Sequence, residues 1–537
     1  MARTPAFRRL IHLFLQAQQA NVRAEGHPSS PPVVRSPWQR RKLLKLAALS
    51  GGAALTANLF SHTPIAFGNP APSIAIIGGG IAGLNAAYQL KKLGLRATVY
   101  EARTRLGGRI QSVTGAIGRG LVSDLGGSFI NTDHDDLLTL AQELNLTLFN
   151  RLKDPTIAGM PETGYYFNNT TRSEAEVAEN LRPLARQISQ DARLLDQDFE
   201  TYALQFDAIS VQTYLDRHQD KIPHSYIRTL IENTIRTEFG VEPSQSSALQ
   251  LLFLLPTVRG SQVEVLSTSD EAFVVQGGSG LIIDRLAQAL GATTPRTQIR
   301  LQMQLQQIQT QGQQYRLTFQ NGQILNADYV ILAIPFTILR NIDLQVSLPP
   351  NFRRMIQELN LGSNEKLLAG FSQRLWRQPS GFGVDLWSDL EFASVWEDTQ
   401  RQPRTDGALS FYFGGNQVSA IQAGSTQSQG RRIVNLFNRI VPTVMNASTD
   451  QFLRTSWTTD PFVKGGYTNF KPGQISAFAA YVYIEANRAD QRQDVRFGNL
   501  LFAGEHLSEL FYGFMNGAAQ TGRLAAESIL RQLGKIA

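Results

Sequence analysis

Residues 73–101, SIAIIGGGIAGLNAAYQLKKLGLRATVYE, hold a short apolar run, a glycine-rich turn, a helical stretch and a second apolar run that ends in an acid. Gly78, Gly80 and Gly83 have the spacing G-x-G-x-x-G. In this motif one glycine makes the turn, one lets the backbone approach a pyrophosphate, and one lets the helix pack closely on the strand. Glu101 stands where an acid binds ribose hydroxyls and repels a 2′-phosphate. The segment predicts a Rossmann-type α/β domain that binds NAD or FAD.

The length and charge of the chain restrict the remaining possibilities. Its 537 residues exceed one ordinary core and predict two domains. The formal net charge of +7 comes from residues 1–70, which carry nine Lys or Arg and one acid. The rest of the chain is close to neutral, so we expect no nucleic acid as a partner. The chain has no cysteine, which excludes disulfides and thiolate metal ligands, and its histidines lack metal-ligand spacing.

Residues 1–71 are predicted to be a leader that ends before the dinucleotide motif. Arg40 and Arg41 precede a modest apolar stretch, LAALSGGAALTANLF. This order is similar to a twin-arginine signal, although the usual Ser before the arginines and Phe after them are absent. It implies that the twin-arginine export machinery carries the folded chain to the periplasm or beyond. The alternative is a surface amphipathic helix with a chance arginine pair, and the apolar stretch is too short and polar for a lasting membrane span.

Three further segments identify a family that the chain resembles. EARTRLGGRIQS at 101–112 and DLGGSFI at 124–130 resemble the start of the flavin amine oxidase family, which includes monoamine, polyamine and L-amino acid oxidases. NLLFAGEHLSELFYGFMNGAAQTGRLAAESIL at 499–530 resembles its C-terminal segment. The resemblance implies that the dinucleotide is FAD. Gly466 stands where the monoamine oxidases of animals carry a flavin-bonding cysteine, which implies that FAD is held noncovalently.

The resemblance also assigns residues to FAD. Arg103 and Arg109 match the family's segment along the pyrophosphate, where an arginine pairs with phosphate. Glu505 is placed near the ribityl and phosphate groups. The residues assigned to FAD are Gly78, Gly80, Ile81, Ala82, Gly83, Glu101, Ala102, Arg103, Gly108, Arg109, Gly126, Gly127, Ser128, Phe129, Leu305, Trp457, Glu505, Gly513, Phe514, Met515, Asn516, Gly517 and Ala518.

Four residues are assigned to the reacting part of the flavin. Trp457 matches a flavin-packing tryptophan, and Tyr467 and Phe514 match the two walls of an aromatic cage. Aromatic walls suit an unprotonated amine and a site dry enough to protect an imine. Lys366 matches a lysine that holds a water against flavin N5, and burial favours its neutral form.

The order of these segments predicts an α/β architecture in which two domains are interleaved. The Rossmann-type FAD-binding domain comprises 72–130, 270–350 and 455–537, and an α+β substrate-binding domain comprises 131–269 and 351–454. Residues 173–235 are rich in Leu and charged residues and predict helices, whereas 365–415 predict a sheet. The Gln-rich run QLQQIQTQGQQYRLTFQNGQ alternates apolar residues and predicts a hairpin.

The resemblance implies an oxidase of small molecules that consumes O2 and releases ammonia and hydrogen peroxide. We expect an L-amino acid as substrate, a basic one above others, with a 2-oxo acid as product. Phe129 departs from this expectation, because venom-type L-amino acid oxidases carry a carboxylate-binding arginine there. A primary amine or polyamine oxidase is therefore the alternative. A carotenoid-desaturase-like flavoenzyme and a noncatalytic flavoprotein also stay open, and a homodimer is compatible with the family.

Overall fold

The computed structural model describes residues 4–28, 30–34, 71–266, 269–292, 298–378 and 381–536. Strands from three separated stretches of the chain form one sheet of six strands, which we call the dinucleotide sheet. All of its pairings are parallel except the last one at one edge. From edge to edge its strands are Ile299–Arg300, Ala97–Tyr100, Ile74–Ile77, Tyr329–Leu332, Leu500–Phe502 and Arg496–Phe497.

Two strands at the centre of the dinucleotide sheet carry hydrophobic residues on both of their faces. Every residue of Ile74–Ile77 and of Tyr329–Leu332 is buried, as expected for central parallel strands covered by helices. Helix Ile81–Lys92 follows the first of them directly. A Cβ at Gly83 would lie 2.0 Å from the carbonyl oxygen of Gly78, so only glycine permits this approach of helix and strand. The predicted strand, turn and helix are confirmed, and the helix begins at Ile81.

The Gln-rich run forms the predicted hairpin within a second sheet of four strands. Ile308 and Leu317 face each other across the hairpin and are buried in the same hydrophobic core as the dinucleotide sheet. Most of the glutamines between the apolar residues stay accessible to solvent. In order, the strands are Ile324–Ala327, Gln314–Phe319, Leu305–Gln311 and Asp343–Gln345.

The predicted sheet between residues 365 and 415 is confirmed and belongs to a sheet of seven strands, which we call the large mixed sheet. Every residue of Asn364–Phe371 and of Gly407–Gly414 is buried, because other elements cover both faces. The strands in order are Ser448–Arg454, Asn364–Phe371, Gly407–Gly414, Ser394–Glu397, Asp385–Ser388, Thr163–Phe167 and Thr170–Arg172.

The predicted helical stretch 173–235 is confirmed as Glu174–Gln197, Phe199–Asp207, Val211–Arg217 and Ser225–Phe239. Ser173 caps the first of these helices by accepting a hydrogen bond from the N–H of Glu176. The other α-helices are Pro5–Ala24, Asp135–Glu143, Ala248–Leu254, Gly280–Ala289, Phe336–Leu339, Pro350–Glu358, Gln417–Gln422, Thr426–Phe437, Val444–Ala447, Gln474–Phe478 and Met515–Gln532. The 3₁₀ turns are Arg151–Lys153, Pro155–Ile157, Gln219–Lys221, Pro243–Gln245, Ala479–Tyr481, Ala489–Gln491 and Glu505–Leu507. The remaining strand pairs are Ser112–Thr114 with Val122–Asp124, Leu148–Asn150 with Phe273–Val275, Thr257–Arg259 with Gln262–Val265, and Asn360–Leu361 with Thr468–Asn469.

The helix Pro5–Ala24, which we call the N-terminal helix, packs in one core with the helices between residues 174 and 254, which we call the helical layer. The sequence did not predict this packing. Thr4 begins it by accepting a hydrogen bond from the N–H of Phe7, and Pro5 occupies its first turn. Phe7, Leu10 and Phe14 are fully buried among the helices of the substrate-binding domain. Its apolar face is therefore covered by other elements of the fold.

The structure describes only part of the predicted leader 1–71, mainly residues 4–28 and 30–34. Its first described part is folded, and the strand Val33–Val34 pairs with Gln262–Val265. Arg40, Arg41 and the apolar stretch after them lie outside the described residues, so the twin-arginine signal stays a prediction. Within the described ranges, no helix combines the length and the apolar character needed to cross a membrane.

Candidate active site

A cavity of about 440 Å³, which we call the central cavity, is lined by residues of the dinucleotide sheet and of the large mixed sheet. Its size is ordinary for a small-molecule site. Most of the residues predicted from the sequence meet there, although they come from distant parts of the chain. The predicted residues that line it are Gly78, Gly80, Ile81, Ala82, Glu101, Ala102, Arg103, Gly108, Arg109, Gly126, Gly127, Ser128, Phe129, Leu305, Lys366, Trp457, Tyr467, Glu505, Gly513, Phe514, Met515 and Ala518.

Three predicted cofactor residues, Gly83, Asn516 and Gly517, lie behind the cavity wall. Asn516 is fully buried, and its Oδ1 accepts a hydrogen bond from the N–H of Leu137 at 3.0 Å. A Cβ at Gly517 would lie 2.1 Å from the carbonyl oxygen of Phe511. These residues hold the wall in place and do not form it.

The end of the cavity nearest the dinucleotide sheet can accept a pyrophosphate. Helix Ile81–Lys92 begins at this end of the cavity, so its first N–H groups favour an anion there. No heavy atom lies within 4 Å of a Cβ built at Gly80, so the backbone is open to a ligand. Glu101 accepts a hydrogen bond from the N–H of Gly79 at 2.7 Å, which fixes its carboxylate at the end of the second strand.

Arg109 and Glu505 join two predicted cofactor segments. The Nη1 of Arg109 donates to Oε1 of Glu505 and to the carbonyl oxygen of Gly466, both at 2.8 Å. The Oε2 of Glu505 accepts a hydrogen bond from the N–H of Gly513 at 2.6 Å. Because Arg109 lines the cavity with 24% of its side chain exposed, the guanidinium can also contact an anionic group bound there.

Lys366 lies in a fully buried strand of the large mixed sheet and reaches the loop that contains Gly126. Its Nζ is 2.7 Å from the carbonyl oxygen of Asp124, 2.8 Å from that of Gly126 and 2.8 Å from the Oγ of Ser128. Burial lowers the pKa of Lys366, against the opposing effect of the carboxylates of Asp398 and Asp124. In all three contacts Nζ is the donor, and the Ser128 hydroxyl in turn donates to the carbonyl oxygen of Gly126 at 3.2 Å.

Aromatic rings from both domains line the central cavity. The predicted residues Trp457, Tyr467 and Phe514 are among them. The hydroxyl groups of Tyr467 and Tyr412 share a hydrogen bond of 2.8 Å. The ring of Tyr412 lies against that of Trp396, with centroids 5.2 Å apart. Tyr412 and Trp396 thus extend the predicted aromatic wall along the large mixed sheet.

Among the cavity-lining residues that sequence reasoning missed are Thr4, Asn131, Glu271, Trp396 and Tyr412. FASVWE and ALSFYFGG place Trp396 and Tyr412 in strands, but every residue of these strands is buried, so alternation cannot show which face meets the cavity. Thr4 was assigned to the leader. Glu271 lies in a loop that matches no motif, so the sequence carries no signal for it.

This combination of features defines a class of protein: a flavoenzyme in which a Rossmann-type domain shares its cavity with an α+β domain that supplies a buried lysine and aromatic rings. The chain belongs to the family of flavin containing amine oxidoreductases, whose family model matches residues 81–530. The predicted family and fold class are therefore confirmed.

Individual proteins similar to this chain agree with that assignment. The flavin-containing amine oxidase B of Canis lupus familiaris is 25% identical over 480 residues, covering 86% of this chain and 87% of the relative. The flavin-containing amine oxidase A of Sus scrofa is 24% identical over 488 residues and covers 86% of each chain. Among solved structures, cyclohexylamine oxidase from Brevibacterium oxydans IH-35A has a TM-score of 0.70 at 22% identity, covering 87% of this chain and 100% of its own. Putrescine oxidase bound to putrescine has a TM-score of 0.68 at 21% identity, covering 86% and 99%. These structural similarities show a shared fold.

FAD is the cofactor that the family implies, and the residues of the central cavity fit it. The open backbone at Gly80, the N-terminus of helix Ile81–Lys92 and the anchored Glu101 suit the pyrophosphate and ribose of a dinucleotide. Gly466 lines the cavity and carries no side chain to bond a flavin, and the whole chain has no cysteine. FAD is therefore held noncovalently.

We expect the purified protein to be yellow and to release its flavin as free FAD when the chain is denatured with acid. The measurement is the absorbance and chromatographic mobility of the flavin in the supernatant. Flavin that remains with the precipitated chain, or free flavin that migrates as FMN, would contradict noncovalent FAD binding.

Proposed function

We propose that the protein is an oxidase of primary amines that uses FAD and O2 and releases an aldehyde, ammonia and hydrogen peroxide. One observation carries this proposal: the aromatic part of the described cavity has no guanidinium group in its lining. The arginines in the lining are Arg103 and Arg109, which belong to the predicted pyrophosphate segment. Phe129 occupies the position of the carboxylate-binding arginine, and the acid Glu271 also lines the cavity. A carboxylate there would meet no guanidinium group of the cavity lining, whereas an amine would not need one.

The residues of this chain prepare an amine for oxidation. Bound FAD supplies the two-electron oxidation of the C–N bond and the delivery of those electrons to O2. The rings of Tyr412, Tyr467 and Trp396 exclude water, which favours the neutral amine and protects the imine until it is hydrolysed. The Nζ of Lys366 donates to the carbonyl oxygens of Asp124 and Gly126 and to the Oγ of Ser128, and it can keep one water in this otherwise dry wall by exchanging one of these contacts.

An L-amino acid oxidase is the second candidate, and Asn131 favours it. The Nδ2 of Asn131 is buried, lines the cavity side of its loop and has no hydrogen-bond partner in the described chain, so it can donate to a carboxylate. The relatives named above support the amine as substrate better, because their printed names are those of amine oxidases. A primary amine is therefore the first candidate for the substrate, and an L-amino acid is the second.

A peroxide assay across amines and amino acids tests the proposal. We expect aliphatic primary amines to reduce the flavin without oxygen and to yield peroxide and ammonia with oxygen. The panel comprises n-butylamine, benzylamine, α,ω-diamines, and L- and D-amino acids. Oxidation of L-amino acids with no reaction of any amine would replace the first candidate by the second. A flavin that no compound reduces would remove both.

A further inference from the structure

Glu271 lines the central cavity, and its buried carboxylate has no hydrogen-bond donor in the described part of the chain. Only 2% of its side chain is exposed. The nearest cationic atoms are Nη1 of Arg151 at 3.7 Å and Nε of Arg8 at 3.9 Å, beyond hydrogen-bond distance. Burying a carboxylate without hydrogen bonds opposes folding. A ligand that donates hydrogen bonds to Glu271 accounts for the presence of this residue in the cavity.

The backbone at Glu271 is also held in an unusual conformation. Its φ is +47°, in the left-handed region that side chains other than glycine rarely adopt. The N–H of Glu271 donates to Oδ1 of Asn131 at 2.8 Å, and the N–H of Arg151 donates to the carbonyl oxygen of Ala272 at 2.8 Å. Hydrogen bonds between neighbouring loops therefore hold the backbone of Glu271 in this strained conformation. Such conformations are common at ligand-binding sites.

Acidic and basic side chains surround Glu271. Arg8 already donates to Asp385 at 2.9 Å and to Glu162 at 2.8 Å, so its charge is largely matched. Thr4, at the edge of the cavity, donates to Glu238 at 3.2 Å. The described cluster contains the carboxylates of Glu162, Glu174, Glu238, Glu271 and Asp385 and the guanidinium groups of Arg8, Arg9 and Arg151, with His12 at its outer edge. Because Arg8 is engaged by other carboxylates and Arg151 contacts Glu271 without a hydrogen bond, a cation in the adjoining cavity can bond the carboxylate oxygens.

We infer that Glu271 binds a second cationic group of the substrate, distinct from the amine that is oxidised. The inference rests on the proposed function and narrows its substrate class to dications: an alkyl chain with the reacting amine at one end and an ammonium or guanidinium group at the other. Diamines and basic L-amino acids share this chemistry. The alkyl chain packs against Phe129 and Trp396, whose rings line the same cavity 5.6 Å apart.

Burial raises the pKa of Glu271 to about 8, against the opposing effect of Arg8 and Arg151. The nearby carboxylates of Asp385 and Glu238 raise it further. A cation that enters the cavity stabilises the ionised form of Glu271. The bound dication thus supplies a hydrogen-bonded cationic partner, which Arg151 and Arg8 at 3.7 and 3.9 Å do not provide.

The test compares substrates that differ only in the second charge. The pairs are 1,4-diaminobutane with n-butylamine, and L-lysine with L-norleucine. We expect kcat/KM for the dication to exceed that of its partner by about 10- to 100-fold, the effect of one hydrogen bond to a charged group, mainly through KM. The chain length of the best α,ω-diamine then reports the distance from the reacting amine to Glu271.

Two variants locate the effect. Glu271→Gln keeps the shape and removes the charge, so we expect it to abolish the preference for dications by lowering kcat/KM for 1,4-diaminobutane far more than for n-butylamine. Asp270→Asn is the matched control, because Asp270 lies next in the chain, is bonded to Thr132 and does not line the cavity. It should keep the preference. The flavin spectrum and thermal midpoint of both variants verify their folding.

The outcomes separate the inference from the proposed function. Oxidation of n-butylamine as efficient as that of 1,4-diaminobutane overturns the inference and leaves the proposed function intact. So does a dication preference that survives Glu271→Gln in folded, FAD-loaded protein. If only the lysine pair shows the preference, the dication is a basic amino acid and the amine proposal falls instead.

Discussion

Lys366→Met should slow flavin reduction and turnover by about 10²-fold or more while FAD stays bound, the loss expected for a positioned group near the reacting atoms. Methionine has a similar length but cannot bond the carbonyl oxygens of Asp124 and Gly126 or the hydroxyl of Ser128. The water that Lys366 is proposed to hold would then lose its anchor. Stopped-flow measurement of flavin reduction and reoxidation, together with steady-state peroxide production, shows which half-reaction is slowed.

The pH dependence of this enzyme gives an independent check on Lys366. Burial lowers the pKa of Lys366, so its neutral form is reached at a lower pH than for an exposed lysine, and activity that requires the neutral amine should rise with pH as Lys366 loses its proton. That limb of the profile should disappear in Lys366→Met. Lys153→Met is the control, because Lys153 is an exposed lysine that does not line the cavity. Equal rates for Lys366→Met and Lys153→Met would show that Lys366 is only structural.

Local sequence was enough to predict the part of the site that is built from backbone. Gly83 is required by its close approach to the carbonyl oxygen of Gly78, and Gly80 leaves the backbone open, so a strand followed by a helix is enough to set this geometry. The same holds for Glu101 at the end of the next strand. Gly78 also approaches the carbonyl oxygen of Ala333, a contact that the local motif does not contain. Motifs of this kind carry their geometry with them, which is why the cofactor end of the cavity could be predicted.

The substrate end could not be predicted in the same way, because long-range packing forms it. Trp396 and Tyr412 reach the cavity only through the order of strands in the large mixed sheet. Glu271 faces it because two loops hold its backbone at positive φ. Thr4 reaches it from an N-terminal helix whose basic composition is also typical of a leader. Such positions depend on tertiary contacts that no local pattern encodes.

The N-terminal helix leads to the second large prediction, which concerns deletion of residues 1–28. Phe7, Leu10, Leu13 and Phe14 are fully buried. Burial of four such side chains contributes about 6–12 kcal/mol before the entropy of ordering the helix is subtracted, comparable with the net stability of a whole domain. Deletion would also expose their partners in the helical layer and remove Arg8 from Asp385. We therefore expect the truncated chain to be insoluble or to lack bound FAD and activity.

Point variants on the same helix keep this prediction testable if the truncated chain does not fold. Phe14→Ala should destabilise the protein by about 3–5 kcal/mol in urea unfolding, the usual cost of emptying a buried aromatic site. Arg23→Ala, on the exposed last turn of the same helix, should change stability little.

The same helix constrains how the chain can be processed. Export through Arg40 and Arg41 stays a proposal, and cleavage after the predicted leader at residue 71 would remove an element that the fold buries. We therefore propose that active enzyme retains residues 4–28, whichever compartment it occupies, and expect intact-mass measurement of the yellow, active fraction to show them. An active, equally stable species that begins near residue 71 and has lost the helix would contradict this. It would mean that Phe7 and Phe14 fill the helical layer without being needed to hold it together.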